Sequence, residues 1–337
     1  LDLTAVEGLA DLITAETEAQ RRLAHRQLAG ALGSQAESWR RRATEALALA
    51  EAAIDFADEA DVPQGLIDQA RRSARVLADE IAAVLCQGRA GERLREGLTV
   101  AIAGPPNVGK SSLLNRFARR EVAIVSPFAG TTRDVIEVHL DLNGNPVTLL
   151  DTAGLRETAN PVELEGVRRA QERAAAADLV LWLVEADSQA DLDRGMDEAK
   201  LRGPNNAHRW LIINKVDLID SRPEHEASNR FAGEKNVFAV SAKTGQGINE
   251  LIKALGAYAA DYFAPAESAL VSRERHRRAL DEACAAFRRE SEIDSGDRED
   301  VIAEELRTAV RSLARLLGRV DVDDILDVIF RDFCIGK

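Results

Sequence analysis

An octapeptide, Gly104-Pro105-Pro106-Asn107-Val108-Gly109-Lys110-Ser111, stands between an apolar run over 98–103 and a helical pattern that opens with Ser112, Leu113 and Leu114. Its spacing is G-x-x-x-x-G-K-[ST], and strand–loop–helix is the setting that this spacing requires. The glycines let a backbone curl close around an anion. The first N–H groups of the following helix add favourable potential there. The expectation is a phosphate loop in which residues 107–112 (Asn107, Val108, Gly109, Lys110, Ser111 and Ser112) face a nucleotide. Lys110 reaches its β- and γ-phosphates, and the Ser111 hydroxyl holds Mg²⁺.

The chain around this loop changes character twice. From residue 98, short β-branched runs (98–103, 135–142, 147–150, 179–184, 210–213 and 237–240) alternate with helical stretches. That order predicts an α/β domain with a mostly parallel sheet. Asn143-Gly144-Asn145 predicts a hairpin and therefore one antiparallel pair. Residues 1–96 are rich in Ala, Leu, Glu and Arg. Apolar residues recur there at helical spacing, as in Leu47, Ile54 and Phe56, or Ile67, Ala70, Ala74, Leu77 and Ile81, with a break at Asp61-Val62-Pro63. After residue 263 helical character returns. Val301, Ile302, Leu306, Val310, Leu313, Leu316 and Leu317 share a face, Gly318 is a stop, and a shorter helix is expected over 323–330. The predicted organisation is a Ras-like P-loop domain (97–263) inserted into a discontinuous helical domain (1–96 and 264–337), an arrangement tolerated where a domain's ends lie close together. Two unrelated helical flanks are the alternative.

Composition narrows the class further. The 337 residues carry a formal net charge of -13, which argues against a general nucleic-acid coat but leaves room for a local basic patch. Three cysteines, Cys86, Cys284 and Cys334, are too few and too scattered for a disulfide scaffold and fit a reducing, cytoplasmic setting. No apolar stretch approaches the ~20 residues of a membrane span. The chain begins with Leu1 rather than Met, from which a natural start further upstream is expected.

Asn214-Lys215-Val216-Asp217 follows the run at 210–213, and N-K-x-D at a strand end reads guanine. Asp217 can accept from both N1–H and the exocyclic amine, a donor pair that adenine lacks. Lys215 is expected to cover the base with its aliphatic stem. Ser241-Ala242-Lys243, after the last run, is expected to supply a backbone N–H near the base O6. Asp151-Thr152-Ala153-Gly154 carries the second nucleotide-sensing loop: Asp151 holds Mg²⁺ through water and the Gly154 amide meets the γ-phosphate. Between the loops, Gly130-Thr131-Thr132-Arg133-Asp134 offers Thr132 to Mg²⁺ and the γ-phosphate, with Thr131 beside it. Loss of that phosphate would release both segments. Ras has a water-orienting Gln after the D-x-x-G glycine, whereas this chain has Leu155, which cannot hydrogen-bond water. Arg133 and Arg156 are candidate fingers, though a surface Arg is more often a solvated charge.

Together these motifs resemble the GTPases with G-x-P-N-x-G-K-S loops, which include the Era and Der families. The flanks narrow the resemblance. The opening residues 1–13, the segment from Asp55-Phe56 to Val62-Pro63, Asp151-Thr152-Ala153-Gly154-Leu155-Arg156-Glu157 and the ending Phe333-Cys334-Ile335-Gly336-Lys337 are similar to the MnmE (TrmE) family of tRNA-modification GTPases. The resemblance covers the whole chain but lacks that family's folate-binding N-terminal domain, which drives constitutive dimerisation.

The resemblance implies a remedy for the missing Gln. In that family two G domains meet through their switches, and K⁺ takes the place of an arginine finger. Asn107 matches the K⁺-ligating Asn, and backbone oxygens of the loop at Ser126, Phe128 and Thr131 would complete the set. Glu163 matches the glutamate that orients the attacking water; without the resemblance it reads as a solvated carboxylate at a helix start. The family works with an FAD-containing MnmG-type partner on the C5 position of a tRNA wobble uridine. This chain has no G-x-G-x-x-G fingerprint, so the flavin is expected on the partner only. Cys334 is implicated in the uridine chemistry by its placement, although a plain tail thiol fits as well. Arg273, Arg275, His276, Arg277 and Arg278 form a basic cluster that could meet tRNA phosphates; a solvated helix face is the simpler reading.

Two other functions remain compatible with the motifs. One is an Era-like RNA-binding or ribosome-assembly GTPase, although the G-x-x-G loop of a KH domain is missing after residue 263. The other is a helical dimerisation scaffold whose nucleotide domain binds without turning over.

Overall fold

The computed structural model describes residues 1–55, 65–120, 122–124, 137–151, 176–187, 207–218, 236–292 and 299–319. In chain order these carry helices α1 (Leu3–Thr14), α2 (Glu18–Leu28), α3 (Ala31–Asp55) and α4 (Leu66–Glu96), strand β1 (Leu98–Ala103) and helix α5 (Lys110–Ala118). Strands β2 (Glu137–Leu142), β3 (Asn145–Asp151), β4 (Leu179–Glu185), β5 (His208–Asn214) and β6 (Val237–Ala239) follow, then helices α6 (Ile248–Phe263), α7 (Glu274–Glu292) and α8 (Glu299–Leu316). Two compact units result. One comprises 1–15, 20–95 and the chain from Pro265 on; the other comprises 16–19 and 96–264. The expected break at 61–63 and the helix expected over 323–330 lie outside the described residues. None of the described helices is long and apolar enough to cross a membrane.

The second unit is built on a six-stranded sheet in the order β2-β3-β1-β4-β5-β6. Every neighbouring pair is parallel except β2–β3. That exception is the hairpin which Asn143-Gly144 announces: both residues take positive φ, 56° and 86°, as a tight I′ turn demands. The central strands are buried on both faces and so read as near-continuous apolar runs, while β2 alternates between buried and half-buried residues. Helix α5 buries Leu113, Leu114 and Phe117, each by roughly 1.5–3 kcal/mol of apolar transfer, and so is held where its first turn meets the end of β1. This is the Ras-like P-loop architecture expected from the alternating runs.

The helical unit has a different logic. On α3 the buried hydrophobic residues are Leu32, Ala36, Trp39, Ala43, Ala46 and Ala50, spaced alternately by four and three. They pack with Ala70, Ala74, Leu77 and Ile81 of α4, Leu280, Ala283 and Phe287 of α7, and Ile302, Leu306, Ala309 and Leu313 of α8. Small residues at this spacing let helices approach closely in near-parallel packing. The core face of α3 is therefore its alanine face. Ile54, expected from periodicity to lie on the apolar side, is 36% exposed, and Leu47 only flanks the core. Helix α8 buries most of its expected face and ends at Gly318 (φ 76°), where Arg319 N–H bonds Ala314 C=O and Gly318 N–H bonds Arg315 C=O, a Schellman stop.

The basic cluster at 273–278 is neither a free phosphate-binding face nor a solvated one. Arg273 binds Asp11 at 2.6 Å, Arg275 grips both carboxylate oxygens of Glu7, His276 is buried against the same carboxylate, and Arg277 binds Glu92 at 2.9 Å. Only Arg278, paired with Glu274 one turn earlier, faces mainly solvent. The charges are consumed in tying α7 to α1 and α4.

Candidate nucleotide site

The expected functional residues among those described lie at the carboxyl ends of the parallel strands, where open α/β sheets bind ligands. β1 runs into the phosphate loop. Gly104 there has φ 140°, and a Cβ at that position would stand 2.3 Å from the Leu183 carbonyl, so only glycine fits. Gly109 (φ 97°) is equally constrained, since a Cβ would stand 2.4 Å from Asn214 Nδ2. Asn107 adopts φ 64°, a conformation that Asn tolerates better than most residues, and its side chain is exposed. Lys110 opens α5, buried, with Nζ donating to the carbonyls of Gly104 (2.8 Å) and Pro105 (2.7 Å). Burial pushes its pKa down, and the Asp151 carboxylate opposes that shift.

β3 ends at Asp151, whose Oδ2 accepts from Ser111 Oγ at 2.6 Å. A hydroxyl and a buried carboxylate in contact, next to an ammonium and a helix N-terminus, form a donor set whose chemistry would suit a hard cation beside an anion. Among the described residues no group of three or more His, Cys, Asp or Glu side chains converges to hold a metal on its own.

The base side is built at the ends of β5 and β6. Asn214 is buried and bridges two loops: Nδ2 donates to Val108 C=O at 2.7 Å, and Oδ1 accepts the Ala242 N–H at 3.0 Å. Lys215 takes φ 65°, a strained value for a side-chain-bearing residue, and its Nζ binds Glu185 Oε1 at 2.9 Å. Asp217, in the short 3₁₀ turn Val216–Leu218, accepts from Ser241 Oγ at 2.6 Å. Ser241 Oγ in turn accepts the Thr244 N–H at 3.0 Å.

The structure thus joins Ser111 to Asp151, Val108 to Asn214 and Ala242, and Asp217 to Ser241. Ser126, Phe128, Thr131, Thr132, Thr152, Ala153, Gly154, Glu163 and Cys334 lie outside the described residues. Two side chains at the site had no signal in the sequence. Glu185 closes the Lys215 ion pair from the end of β4. Arg116 of α5 donates to the carbonyls of Ala242 and Lys243, more than 120 residues away in the chain.

Sheet order, phosphate loop and N-K-x-D turn define a P-loop GTPase. The chain belongs to the MnmE family: the model described as "MnmE helical domain" matches residues 3–334. It is 57% identical over 339 residues to the tRNA modification GTPase MnmE of Bradyrhizobium sp. strain BTAi1, covering all of this chain and 73% of that protein. With the protein of the same description from Rhodopseudomonas palustris CGA009 the identity is 54%, again over 100% and 73%. Among solved structures it is similar to an Aquifex aeolicus Era variant bound to GDP and AlF4⁻, with 29% identity, TM-score 0.33, and coverage of 48% of this chain and 56% of that one.

Proposed function

We propose that this chain hydrolyses GTP to GDP and phosphate in a K⁺-stimulated cycle that drives modification of the tRNA wobble uridine at C5, in the cytoplasm and together with an FAD-containing MnmG-type partner. The observation that carries the reading is the pair of hydrogen bonds made by the Asn214 side chain, which ties the phosphate loop to the loop beside the guanine-type carboxylate Asp217. The family relationship supports the rest, because the relatives at 57% and 54% identity are described as tRNA modification GTPases.

In this reading Lys110 and the first N–H groups of α5 hold the β- and γ-phosphates, Ser111 and Asp151 hold Mg²⁺ with Thr132, and Gly154 senses the γ-phosphate. Asn107 offers its exposed amide oxygen to K⁺, with backbone oxygens of Ser126, Phe128 and Thr131 as the other donors. When bound, the two cations supply positive charge to the transferred phosphoryl oxygens. Glu163 orients the attacking water in place of the glutamine that Leu155 replaces. Transient pairing of two G domains brings these groups into register. Cys334 is assigned to the uridine chemistry. Hydrolysis measured in KCl and in NaCl at matched ionic strength tests the reading. A clear excess in KCl is expected; equal and negligible rates in both salts would remove it.

A further inference from the structure

We propose that Arg116 is a positioning residue for guanine recognition: from the helix behind the phosphate loop it aims the 241–244 loop, and through that loop the carboxylate of Asp217, at the base. The inference rests on reading this site as a guanine-nucleotide site.

One guanidinium holds two successive carbonyls. Nε donates to Ala242 C=O at 2.9 Å, and Nη2 donates to Lys243 C=O. A planar fork with fixed donor directions sets both peptide planes at once, which a single ammonium cannot do. In a trans peptide the C=O and the following N–H point in opposite directions. Holding the Ala242 carbonyl therefore turns the Lys243 N–H away from Arg116. Holding the Lys243 carbonyl turns the Thr244 N–H away in the same manner, and that N–H meets Ser241 Oγ at 3.0 Å. With Ser241 Oγ accepting there, its single proton goes to Asp217 Oδ1 at 2.6 Å. The chain of bonds thus runs from Arg116 to Asp217. The Ala242 residue is pinned on both sides, its N–H by Asn214 and its C=O by Arg116. Because Ala242 N–H is taken by Asn214, Lys243 N–H is the donor in this loop that Arg116 leaves for the base O6.

The test uses the 337-residue chain and fluorescently monitored binding of GDP, IDP and ADP to wild type, Arg116→Met and Arg116→Lys. Inosine lacks the exocyclic amine, one of the two donors that Asp217 accepts. Misaiming Asp217 therefore harms GDP more than IDP. In Arg116→Met, GDP affinity is expected to fall about tenfold, the size of one charge-assisted hydrogen bond, and IDP affinity about threefold. The GDP:IDP preference would then shrink about threefold. Arg116→Lys keeps the charge and the stem but satisfies one carbonyl, so it falls between the two; it is also the variant to read if Arg116→Met does not fold. A loss of packing alone would lower both affinities together. A GDP:IDP preference equal to that of wild type in both variants overturns the role of Arg116. Wild type that binds ADP as tightly as GDP overturns the site reading on which it rests.

Discussion

Glu7 of α1 and His276 of α7 meet at 2.7 Å between Oε2 and Nε2, although 269 residues separate them in the chain. Arg275 completes the contact with two further bonds to the same carboxylate. Burial alone would raise the Glu7 pKa, but the hydrogen bonds from His276 and Arg275 outweigh it and hold the carboxyl at about 2, against 4.5 for a free one. A carboxyl whose pKa is lower in the fold binds fewer protons there than in the unfolded chain. Its stabilisation is therefore whole above about pH 4.5 and is lost as the pH falls towards 2. Glu7→Gln is expected to cost about 3 kcal/mol of unfolding free energy near neutral pH. Urea titrations at several pH values check this: the gap between wild type and variant should narrow on acidification below about pH 4.5. A constant gap would mean that Glu7 acts by packing rather than by charge.

Asp217→Asn tests the proposed reading of the base by Asp217. Asn presents a donor where Asp presents an acceptor, so one of the two guanine contacts becomes a clash of donors. GTP affinity is expected to fall by roughly 10- to 100-fold, equivalent to one charge-assisted bond. Binding should shift towards xanthosine nucleotides, whose C2 oxygen can accept. Competition between GTP and XTP measures the swap directly, and unchanged GTP affinity would remove Asp217 as the base reader.

Asn107 is exposed and takes a positive φ of 64°, so its side chain is not needed for the core of the phosphate loop. Asn107→Ala should therefore leave GDP affinity within about threefold while abolishing the difference between hydrolysis in KCl and in NaCl. Some strain is added, since Ala tolerates that φ less well than Asn, by roughly 1 kcal/mol. Asn107→Gly, free of this strain, is the control and should lose K⁺ stimulation equally. Retained stimulation in both variants would remove Asn107 as a ligand.

How much of this was legible depends on the range of the signal. The strands could be read because parallel strands buried on both faces show as short apolar runs, and the β2–β3 hairpin because Asn143-Gly144 has few other uses. The loop between β1 and α5 and the placing of Asp151 and Asp217 at strand ends could be read because each lies in a contiguous motif. The α3 seam could not, since Ala36, Ala43, Ala46 and Ala50 carry little hydrophobic signal beside a bulkier Ile54 that turns out exposed. Arg273, Arg275 and Arg277 read as a free basic run because their partners Asp11, Glu7 and Glu92 lie 262, 268 and 185 residues away. Arg116 escaped for the same reason. A pairing between distant residues leaves no local period, and only the fold brings it into view.

Asn214→Ala separates scaffold from specificity at the base site. Asn214 touches the loop between β1 and α5 and the loop after β6, through Val108 C=O and Ala242 N–H. Its removal leaves a buried acceptor and a buried donor without partners, each costing about 1–3 kcal/mol unless water enters. Stability should therefore fall by roughly 2–4 kcal/mol. Bound GDP stabilises both proteins by mass action, and because the variant binds it more weakly, its ligand-induced rise in melting temperature should be smaller than that of wild type at the same GDP concentration. Affinity for GDP and for XDP should fall together, because the carboxylate of Asp217 remains in place to read the base. A shift in the GDP:XDP ratio on Asn214→Ala, comparable to that of Asp217→Asn, would instead make Asn214 a reader of the base and break the division of labour between the two residues.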